Sequence, residues 1–237
     1  MGIVVPAVLP SSKHELEEKL ELFSRINSVS RVQIDVVDGR FASPASWPYI
    51  APAELHTMVA SGEMLPHLDR LVYEIDLMCL DAESVIESWL ALGVSRITFH
   101  AESASNVQRL LSSVRRRYGA GGLAPLISFG LALNIASDIA LIELCIGEIE
   151  FVQFMGIVNI GRQGQSFDER VFEKIRIFHA RHPDIPLQVD GGVSLEQVKK
   201  LVALGVSSII IGSAIVRSSD PAAAIAAFEE LQSPYGV

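Results

Sequence analysis

The sequence predicts a (β/α)8 barrel of the TIM type, built as a single domain from residues 1–237. Eight short apolar segments that are typical of buried strands are each followed by a segment with helical periodicity. The strand–helix unit recurs about every 30 residues, and a chain of 237 residues has the ordinary length of such a barrel. An open doubly wound sheet is the alternative, but no GxGxxG motif follows the first strand, which favours the closed barrel.

The first half of the chain supplies four strand–helix units. Ser12 and Glu15 form a capping-box pattern that opens an amphipathic helix after the first strand. The second strand is a β-branched, alternating run that carries Asp35. The predicted elements are a strand at 3–9, a helix from 12, a strand at 31–36, a helix at 52–60, a strand at 71–78, a helix at 81–92, a strand at 95–100 and a helix at 105–118.

The second half continues the alternation without a break. Ser194 and Gln197 form a second capping-box pattern, and Pro221 suits the first turn of the last helix. The predicted elements are a strand at 124–133, a helix at 137–145, a strand at 149–155, a Gly- and Gln-rich loop at 156–167, a helix at 168–181, a strand at 186–189, a helix at 194–204, a strand at 208–211 and a helix at 221–231.

Composition limits the partners and the location. Hydrophobic residues make up 49% of the chain and supply an ample core, but no apolar run has the length of a membrane span and the start lacks a signal-peptide pattern. We therefore expect a cytoplasmic protein with no membrane partner. The net charge is −9 and basic residues are scattered except at 115–117, so no nucleic acid is expected. Cys79 and Cys145 lack CxxC spacing and are expected to be reduced core thiols.

Polar side chains stand at the carboxyl ends of the predicted strands. In a barrel these ends meet at one rim, where active sites are built. Asp35 lies within an apolar run, and a buried acid needs a partner or a function, although capping of the next loop is the alternative. The residues expected at the rim are Ala7, Gln33, Asp35, Asp76, Met78, His100, Met155, Asp190, Gly212 and Ser213.

Three of these side chains, those of Asp35, Asp76 and Asp190, are carboxylates. They cannot all be ionised at close range without a counter-charge, so either a divalent cation lies among them or at least one keeps a proton. Either arrangement suits proton transfer. One carboxylate on each face of a substrate can remove a proton from one side of a carbon and return one to the other side.

Glycines after strands seven and eight indicate a phosphate site. Gly191, Gly192 and Gly212, with Ser213, let the backbone approach a ligand, and barrels commonly bind phosphate at these loops. The alternative is that these glycines only make tight turns. The loop 161–165 is either a lid that excludes water or a surface loop.

Along nearly its whole length the sequence resembles the ribulose-phosphate 3-epimerase family of metal-dependent barrels. Eight segments match motifs of the family in the same order. PAVLP at 6–10 corresponds to PSILS, IDVVDGRF at 34–41 to VDVMDGHF, IDLM at 75–78 to VHLM, and ITFHAES at 97–103 to ITVHxEA. GLALN at 130–134 corresponds to GVALN and GQSF at 164–167 to the end of NPGFGGQSF, and VDGGV at 189–193 and GSAI at 212–215 complete the set.

The resemblance implies inversion at C3 of a ketopentose 5-phosphate through an enediolate, as in the conversion of D-ribulose 5-phosphate to D-xylulose 5-phosphate. Asp35 and Asp190 match the acid and the base. With two histidines they match the ligands of the family's divalent metal, which polarises the C2 carbonyl. The residues expected around the phosphorylated sugar are Gly191, Gly192, Gly212 and Ser213 at the phosphate, Met78 and Met155 at the reacting carbon, and Ala7, Gly164 and Gln165 at the first strand and the lid.

The metal site departs from the family pattern. Gln33 and Asp76 stand where the family has its two histidines. Gln33, Asp35, Asp76 and Asp190 together offer only oxygen-type ligands, which shifts the expected metal toward Mn²⁺ or Mg²⁺ and away from Zn²⁺ or Fe²⁺. Arg162, in the altered lid segment 159–164, could reach an anionic part of a sugar phosphate other than ribulose 5-phosphate.

Other interpretations stay open. One is a phosphosugar-binding barrel without epimerase activity, because both metal histidines are replaced. A barrel lyase of the hexulose-phosphate synthase or orotidine-phosphate decarboxylase type is less favoured, because its DxKxxD motif needs a lysine that is absent near Asp35 and Asp76. His100 either replaces a missing metal ligand or is a satisfied core histidine. We also expect a homo-oligomer, in which Trp47 and Tyr49 contact the partner subunit or line the substrate mouth.

Overall fold

Eight parallel strands close into a barrel in chain order in the computed structural model, which describes residues 3–119 and 126–232. This confirms the predicted (β/α)8 barrel and excludes the open sheet. The strands are β1 (Ile3–Val8), β2 (Arg31–Val37), β3 (Val72–Met78), β4 (Arg96–His100), β5 (Ser128–Leu133), β6 (Phe151–Met155), β7 (Leu187–Asp190) and β8 (Val206–Ile211). The helices are α1 (Lys13–Ser24), α2 (Pro52–Ser61), α3 (Ala82–Ala91), α4 (Val107–Tyr118), α5 (Ala140–Glu143), α6 (Arg170–Arg181), α7 (Leu195–Ala203), α8 (Ser213–Val216) and α9 (Pro221–Gln232).

The two faces of the strands carry different chemistry. In β2, Val32, Ile34 and Val36 belong to the main hydrophobic core, which also contains buried residues of the helices. The alternate residues Gln33 and Asp35 point the other way, because successive side chains of a strand lie on opposite faces. The interior-facing polar residues of the barrel are Arg31, Gln33, Asp35, Glu74, Asp76, Arg96, Thr98, His100, Gln153, Gln188, Asp190 and Ser208, all buried except the half-buried Arg96. The outward faces of the strands are therefore apolar, whereas the inside of the barrel is largely polar apart from a small apolar cluster of Val5, Ala7 and Ile210.

Below the rim, a buried ion-pair network is centred on Glu74. Its carboxylate accepts hydrogen bonds from Arg96 Nε at 3.0 Å and Thr98 Oγ1 at 3.1 Å, and Arg31 Nε lies 3.5 Å away. Gln188 Nε2 also donates to Glu74. A carboxylate with 0% exposure needs such partners, since an unpaired buried charge is strongly destabilising. This polar network therefore fills the barrel interior directly below the rim residues.

Two predicted elements have different bounds in the structure. The strand predicted at 124–133 is shorter, because β5 begins at Ser128 and Leu126 is 64% exposed; residues 124 and 125 lie outside the described residues. The helix predicted at 137–145 reduces to α5, followed by a separate turn at Ile146–Glu148. Asp138 Oδ1 accepts the Ala140 N–H at 2.9 Å, which fixes the helix start later than predicted.

Trp47, in the loop after β2, is a structural residue. Trp47 has 0% exposure, packs edge-on against Trp89 with ring centroids 5.8 Å apart, and donates from Nε1 to Glu54 at 2.8 Å. The expectation that Trp47 contacts a partner subunit or lines the substrate mouth is therefore wrong, because its ring anchors the loop to α2 and α3. Cys79 and Cys145 are buried free thiols, as predicted.

None of the helices in the described part of the chain is long and apolar enough to cross a membrane. The extent of the domain over 1–237 and the homo-oligomer stay predictions.

Candidate active site

Three carboxylates meet at the carboxyl-terminal rim of the barrel. Asp35 and Asp76 are register partners on β2 and β3, and Asp190 ends β7. One oxygen from each lies within 4.8 Å of the others, and all three residues are buried. Gln33 lies beside them with 0% exposure, and its Nε2 donates to Asp35 Oδ1 at 2.9 Å and to Asp190 Oδ2 at 2.8 Å. Gln33 and the three acids thus lie together, as expected from their strand ends, and their roles in catalysis and metal binding stay predictions.

The protonation of the pair Asp35 and Asp190 is shifted by their surroundings. Burial, followed by the negative charges of Asp190 and Asp76, raises the pKa of Asp35 well above its usual range. Burial, followed by the charge of Asp76, raises the pKa of Asp190 to about 7. Because carboxylates held this close disfavour ionising together, the pair tends to share a proton near neutral pH. A carboxylic acid and a carboxylate are thus available in one site.

Asp76 is oriented from below by two other interior side chains. His100 Nε2 lies 2.9 Å from Asp76 Oδ1, and Gln153 Nε2 donates to Asp76 Oδ2 at 2.9 Å. Burial lowers the pKa of His100, but the charge and hydrogen bond of Asp76, together with the charges of Glu102 and Asp190, outweigh it, so the pKa lies above its ordinary value. His100 is therefore the buried partner of Asp76, and it does not line the cavity above the rim.

The donor set fits a hard divalent cation. The three carboxylates supply oxygen atoms, and Gln33 Oε1 is buried without a hydrogen-bond partner among the described residues. A half-turn of the Gln33 amide would exchange its oxygen and nitrogen, and would direct that unpartnered oxygen to the place between Asp35 and Asp190 where Nε2 now lies. Carboxylate and amide oxygens are ligands that Mg²⁺ and Mn²⁺ accept.

Above the carboxylates lies a cavity of about 250 Å³. Asp35 and Asp190 form part of its wall, whereas Gln33 and Asp76 lie underneath. The other predicted site residues that line it are Ala7, Met78, Met155, Arg162, Gly164, Gln165, Gly191, Gly192, Gly212 and Ser213. The structure therefore brings most of the predicted rim residues to a single cavity, with Gln33, Asp76 and His100 below it.

The side of the cavity formed by the loops after β7 and β8 is made of backbone. Gly191 and Gly192 have φ values of +104° and +70°, which disfavour any residue with a side chain. A Cβ at Gly192 would lie 2.7 Å from the Phe167 backbone nitrogen, so the loop after β6 packs directly on this turn. The backbone N–H groups of Gly192 and Ser213 donate to no other group in the described ranges. Such free N–H groups are what a phosphate requires.

Sequence reasoning missed three glutamines. Gln153 on β6 and Gln188 on β7 form an interior chain, in which Gln188 Nε2 donates to Gln153 Oε1 at 2.7 Å. The sequence contained the information needed to find them. Gln153 lies two positions before Met155, and Gln188 lies two positions before Asp190, so each glutamine points to the same side of its strand as that rim residue. Gln163 belongs to the loop 161–165, for which the sequence predicts either a lid or a surface loop and no individual role for this residue. Its Nε2 lies 3.4 Å from the Ala7 carbonyl oxygen, and its side chain covers the space beside Gly212.

Comparisons with known proteins agree with this architecture. The Ribulose-phosphate 3 epimerase family model matches residues 3–216. The chain is 26% identical over 216 residues to the ribulose-phosphate 3-epimerase of Buchnera aphidicola subsp. Baizongia pistaciae (strain Bp), covering 89% of this chain and 88% of the relative. It is 28% identical over 193 residues to the ribulose-phosphate 3-epimerase of Escherichia coli (strain K12), covering 80% of this chain and 78% of the relative.

Among solved structures, KGPDC from Streptococcus mutans superimposes with a TM-score of 0.68 and 13% identity, covering 98% of this chain and 97% of that one. At that identity the likeness shows the fold alone. The family model, in contrast, spans most of the sequence. The chain belongs to the ribulose-phosphate 3-epimerase family.

Proposed function

We propose that this protein is an epimerase that inverts C3 of a ketose phosphate, either D-ribulose 5-phosphate or a related phosphosugar. The observation that carries the proposal is the pair Asp35 and Asp190, two buried carboxylates that share the Gln33 amide and face the same cavity. The names of the relatives, ribulose-phosphate 3-epimerase, supply the substrate class and the position of inversion.

The acid and base roles follow from the shared proton. With the C3–H bond of the sugar between Asp35 and Asp190, the ionised carboxylate removes the C3 proton and leaves an enediolate. The protonated carboxyl then delivers its own proton to C3 from the other side, which inverts the centre. The two aspartates end the cycle with exchanged protonation states, so the same pair serves the reverse reaction. A raised pKa suits both roles, since it keeps a proton available near neutral pH.

The surrounding residues hold the sugar in place. The free backbone N–H groups of Gly192 and Ser213 bind the phosphate, and Met78 and Met155 supply a smooth apolar wall near the reacting carbon. Gln163 closes the cavity from the lid side and places an amide between Ala7 and Gly212. This enclosure limits the access of water to the enediolate.

A divalent metal would be held by the oxygen atoms of Asp35, Asp76, Asp190 and Gln33, with Mn²⁺ or Mg²⁺ favoured over Zn²⁺ or Fe²⁺. When bound, such an ion supplies Lewis-acid polarisation of the C2 carbonyl. His100 and Gln153 fix the orientation of Asp76, as hydrogen-bonding partners of metal ligands commonly do.

The test is conversion of D-ribulose 5-phosphate to D-xylulose 5-phosphate, together with exchange of the C3 proton with deuterated solvent, in Mn²⁺, Mg²⁺, Zn²⁺ or EDTA. Asp190→Asn should lower both rates by at least about 10³-fold, because the variant lacks one of its two proton carriers. The matched control is Asp184→Asn, an exposed acid before β7 at the opposite end of the barrel, which should keep the parental rates. A parental rate of C3 exchange in Asp190→Asn would show that the assignment is wrong.

A second candidate function is a phosphosugar-binding barrel without epimerase chemistry. The observation that favours it is the Gln33 amide nitrogen, which already satisfies Asp35 and Asp190 at a position where the family's motif has a metal-binding histidine. Elemental analysis of the purified protein separates the two candidates. No bound metal and no turnover with any ion, together with retained binding of ribulose 5-phosphate, would favour the binding protein.

A further inference from the structure

A second cavity adjoins the active-site cavity. Its volume is about 480 Å³, and its lining is predominantly polar. The residues that line it are Gly39, Arg40, Phe41, Ala42 and Ser43 after β2, Asn134 after β5, and Val158, Asn159, Ile160 and Arg162 after β6. Arg162 lines both cavities, so this residue lies at their junction, and the bond from its Nε to the Ser43 carbonyl directs the guanidinium group toward the second cavity.

This second cavity lies between the loops after β2, β5 and β6, whereas the phosphate glycines follow β7 and β8. The Phe41 ring packs on His100 of β4, with centroids 5.4 Å apart. In a closed barrel of eight strands in chain order, β4 lies across from β8, whose end carries Gly212 and Ser213. A sugar anchored by its phosphate at β7 and β8, with its middle carbons between Asp35 and Asp190, has its other end directed toward this cavity.

Both arginines of the cavity are available for a ligand. Arg162 Nε donates to the Ser43 carbonyl at 2.8 Å, which leaves its two terminal amino groups without a hydrogen bond to any described residue. Neither Arg162 nor Arg40 has a carboxylate within 4 Å in the described parts of the chain. The nearby Asp38 carboxylate is used by the backbone, since it accepts the N–H groups of Arg40, Phe41 and Leu80.

The position of Arg162 is fixed by its own loop. Gly161 has a φ of +78°, and a Cβ there would lie 2.9 Å from the Ala42 Cβ, so the two loops are in direct contact. That contact and the bond to Ser43 hold the guanidinium group beside the second cavity before any ligand arrives. Preorganised cations of this kind bind an anion at a smaller entropic cost than mobile ones.

Each of the two arginines is one of the changes within a quoted family motif. Arg40 takes the place of histidine in DGHF, and Arg162 takes the place of phenylalanine in NPGFGG. Two separate changes to arginine thus meet at one cavity in a chain of net charge −9. We propose that Arg40 and Arg162 form an anion subsite, which binds a second acidic group, phosphate or carboxylate, at the end of the sugar opposite the first phosphate. The inference rests on the proposed function for the anchoring of that first phosphate.

Calorimetric titration with three probes tests the subsite. D-Ribulose 5-phosphate carries one anionic group, D-ribulose 1,5-bisphosphate adds a phosphate, and 6-phospho-D-gluconate adds a carboxylate. At least one of the two doubly anionic probes should bind about 10-fold or more tightly than the monophosphate, and the preferred probe identifies the anion. The titrations are repeated in EDTA, so that metal chelation by a second anionic group does not simulate a subsite.

Substitution of the two arginines then tests whether they cause the preference for a doubly anionic probe. In the double variant Arg40→Gln and Arg162→Gln, the ratio of the Kd values for the monophosphate and the preferred probe should fall to within about twofold of one. Arg109→Gln, an exposed arginine on α4, is the matched control and should keep the wild-type ratio.

The outcomes separate this inference from the proposed function. Binding and epimerisation of ribulose 5-phosphate without a preference for either doubly anionic probe would overturn the subsite alone. A preference that survives in the double variant would also overturn it. Failure of all three probes to bind would contradict the phosphosugar site itself, and the subsite with it.

Discussion

Replacing Asp190 with asparagine is expected to stabilise the fold above neutral pH while it removes activity. The pKa of Asp190 is raised from 3.8 to about 7, chiefly by burial. Below pH 3.8 the carboxyl is protonated in both the folded and the unfolded chain, so it has no effect on the pH dependence of stability. Between pH 3.8 and about 7 folding takes up a proton, and the free energy of unfolding therefore falls as the pH rises.

The size of the effect follows from the pKa shift. About 3 pKa units at 1.36 kcal/mol each correspond to ~4 kcal/mol of lost stability above pH 7. The asparagine oxygen can still accept from Gln33 Nε2, but its new amide group needs a hydrogen-bond partner, and burying it without one costs about 1–3 kcal/mol. The net expectation is a gain of ~1–3 kcal/mol at pH 8, or a rise in Tm of about 2–10 °C for a domain of this size.

Thermal unfolding from pH 4 to pH 9 in EDTA measures this effect. Near pH 4 Asp190→Asn should have a lower Tm than the wild type, because only the cost of its new amide group remains there, and the difference should rise with pH and become positive by about pH 7. Asp168→Asn is a control of opposite sign, because hydrogen bonds from Arg170 lower the pKa of Asp168, so this variant should lose stability above pH 4. If Asp190→Asn is no more stable than the wild type at pH 8, the ionised carboxylate is not strained by burial and the acid–base reasoning loses its basis.

Three other substitutions test the scaffold. Gly161→Ala should lower the free energy of unfolding by at least about 1 kcal/mol more than Gly62→Ala does. Both glycines have a positive φ, but only at position 161 would the new Cβ meet a neighbour, the Ala42 Cβ at 2.9 Å. Equal losses of stability in urea titrations would contradict this. Glu74→Gln should destabilise by about 3–5 kcal/mol, because the buried arginines lose their counter-charge, and a loss below ~1 kcal/mol in the same titration would refute the network. His100→Leu should lower the free energy of unfolding by ~3 kcal/mol at pH 7, because Asp76 loses its charged partner. The affinity for Mn²⁺, measured calorimetrically, should fall as well. Unchanged stability together with unchanged affinity would show that Asp76 does not depend on His100.

The periodicity of the sequence was sufficient to predict the barrel. Short apolar segments located every strand, because each strand must bury its outward face against helices, and that requirement is local in the chain. The rim residues followed from the fold, since the carboxyl ends of all strands converge, and Asp35 and Asp190 could be placed together without coordinates. The shortened helix α5 could not be predicted, because the bond from Ala140 to Asp138 competes with helix formation at a single residue.

Only the tertiary structure decided which side chains are hydrogen-bond partners and which line the same cavity. Gln33 could have bound a metal, a substrate or the core, and its amide bridges two acids that are 155 residues apart in the chain (190 − 35). Arg40 and Arg162 read as unrelated loop residues, yet they line the same cavity. The sequence by itself determined the barrel and the location of its active rim, because periodic burial is a property of each segment. Hydrogen-bond partners and cavity walls depend on distances between segments, and these exist only once the barrel has closed.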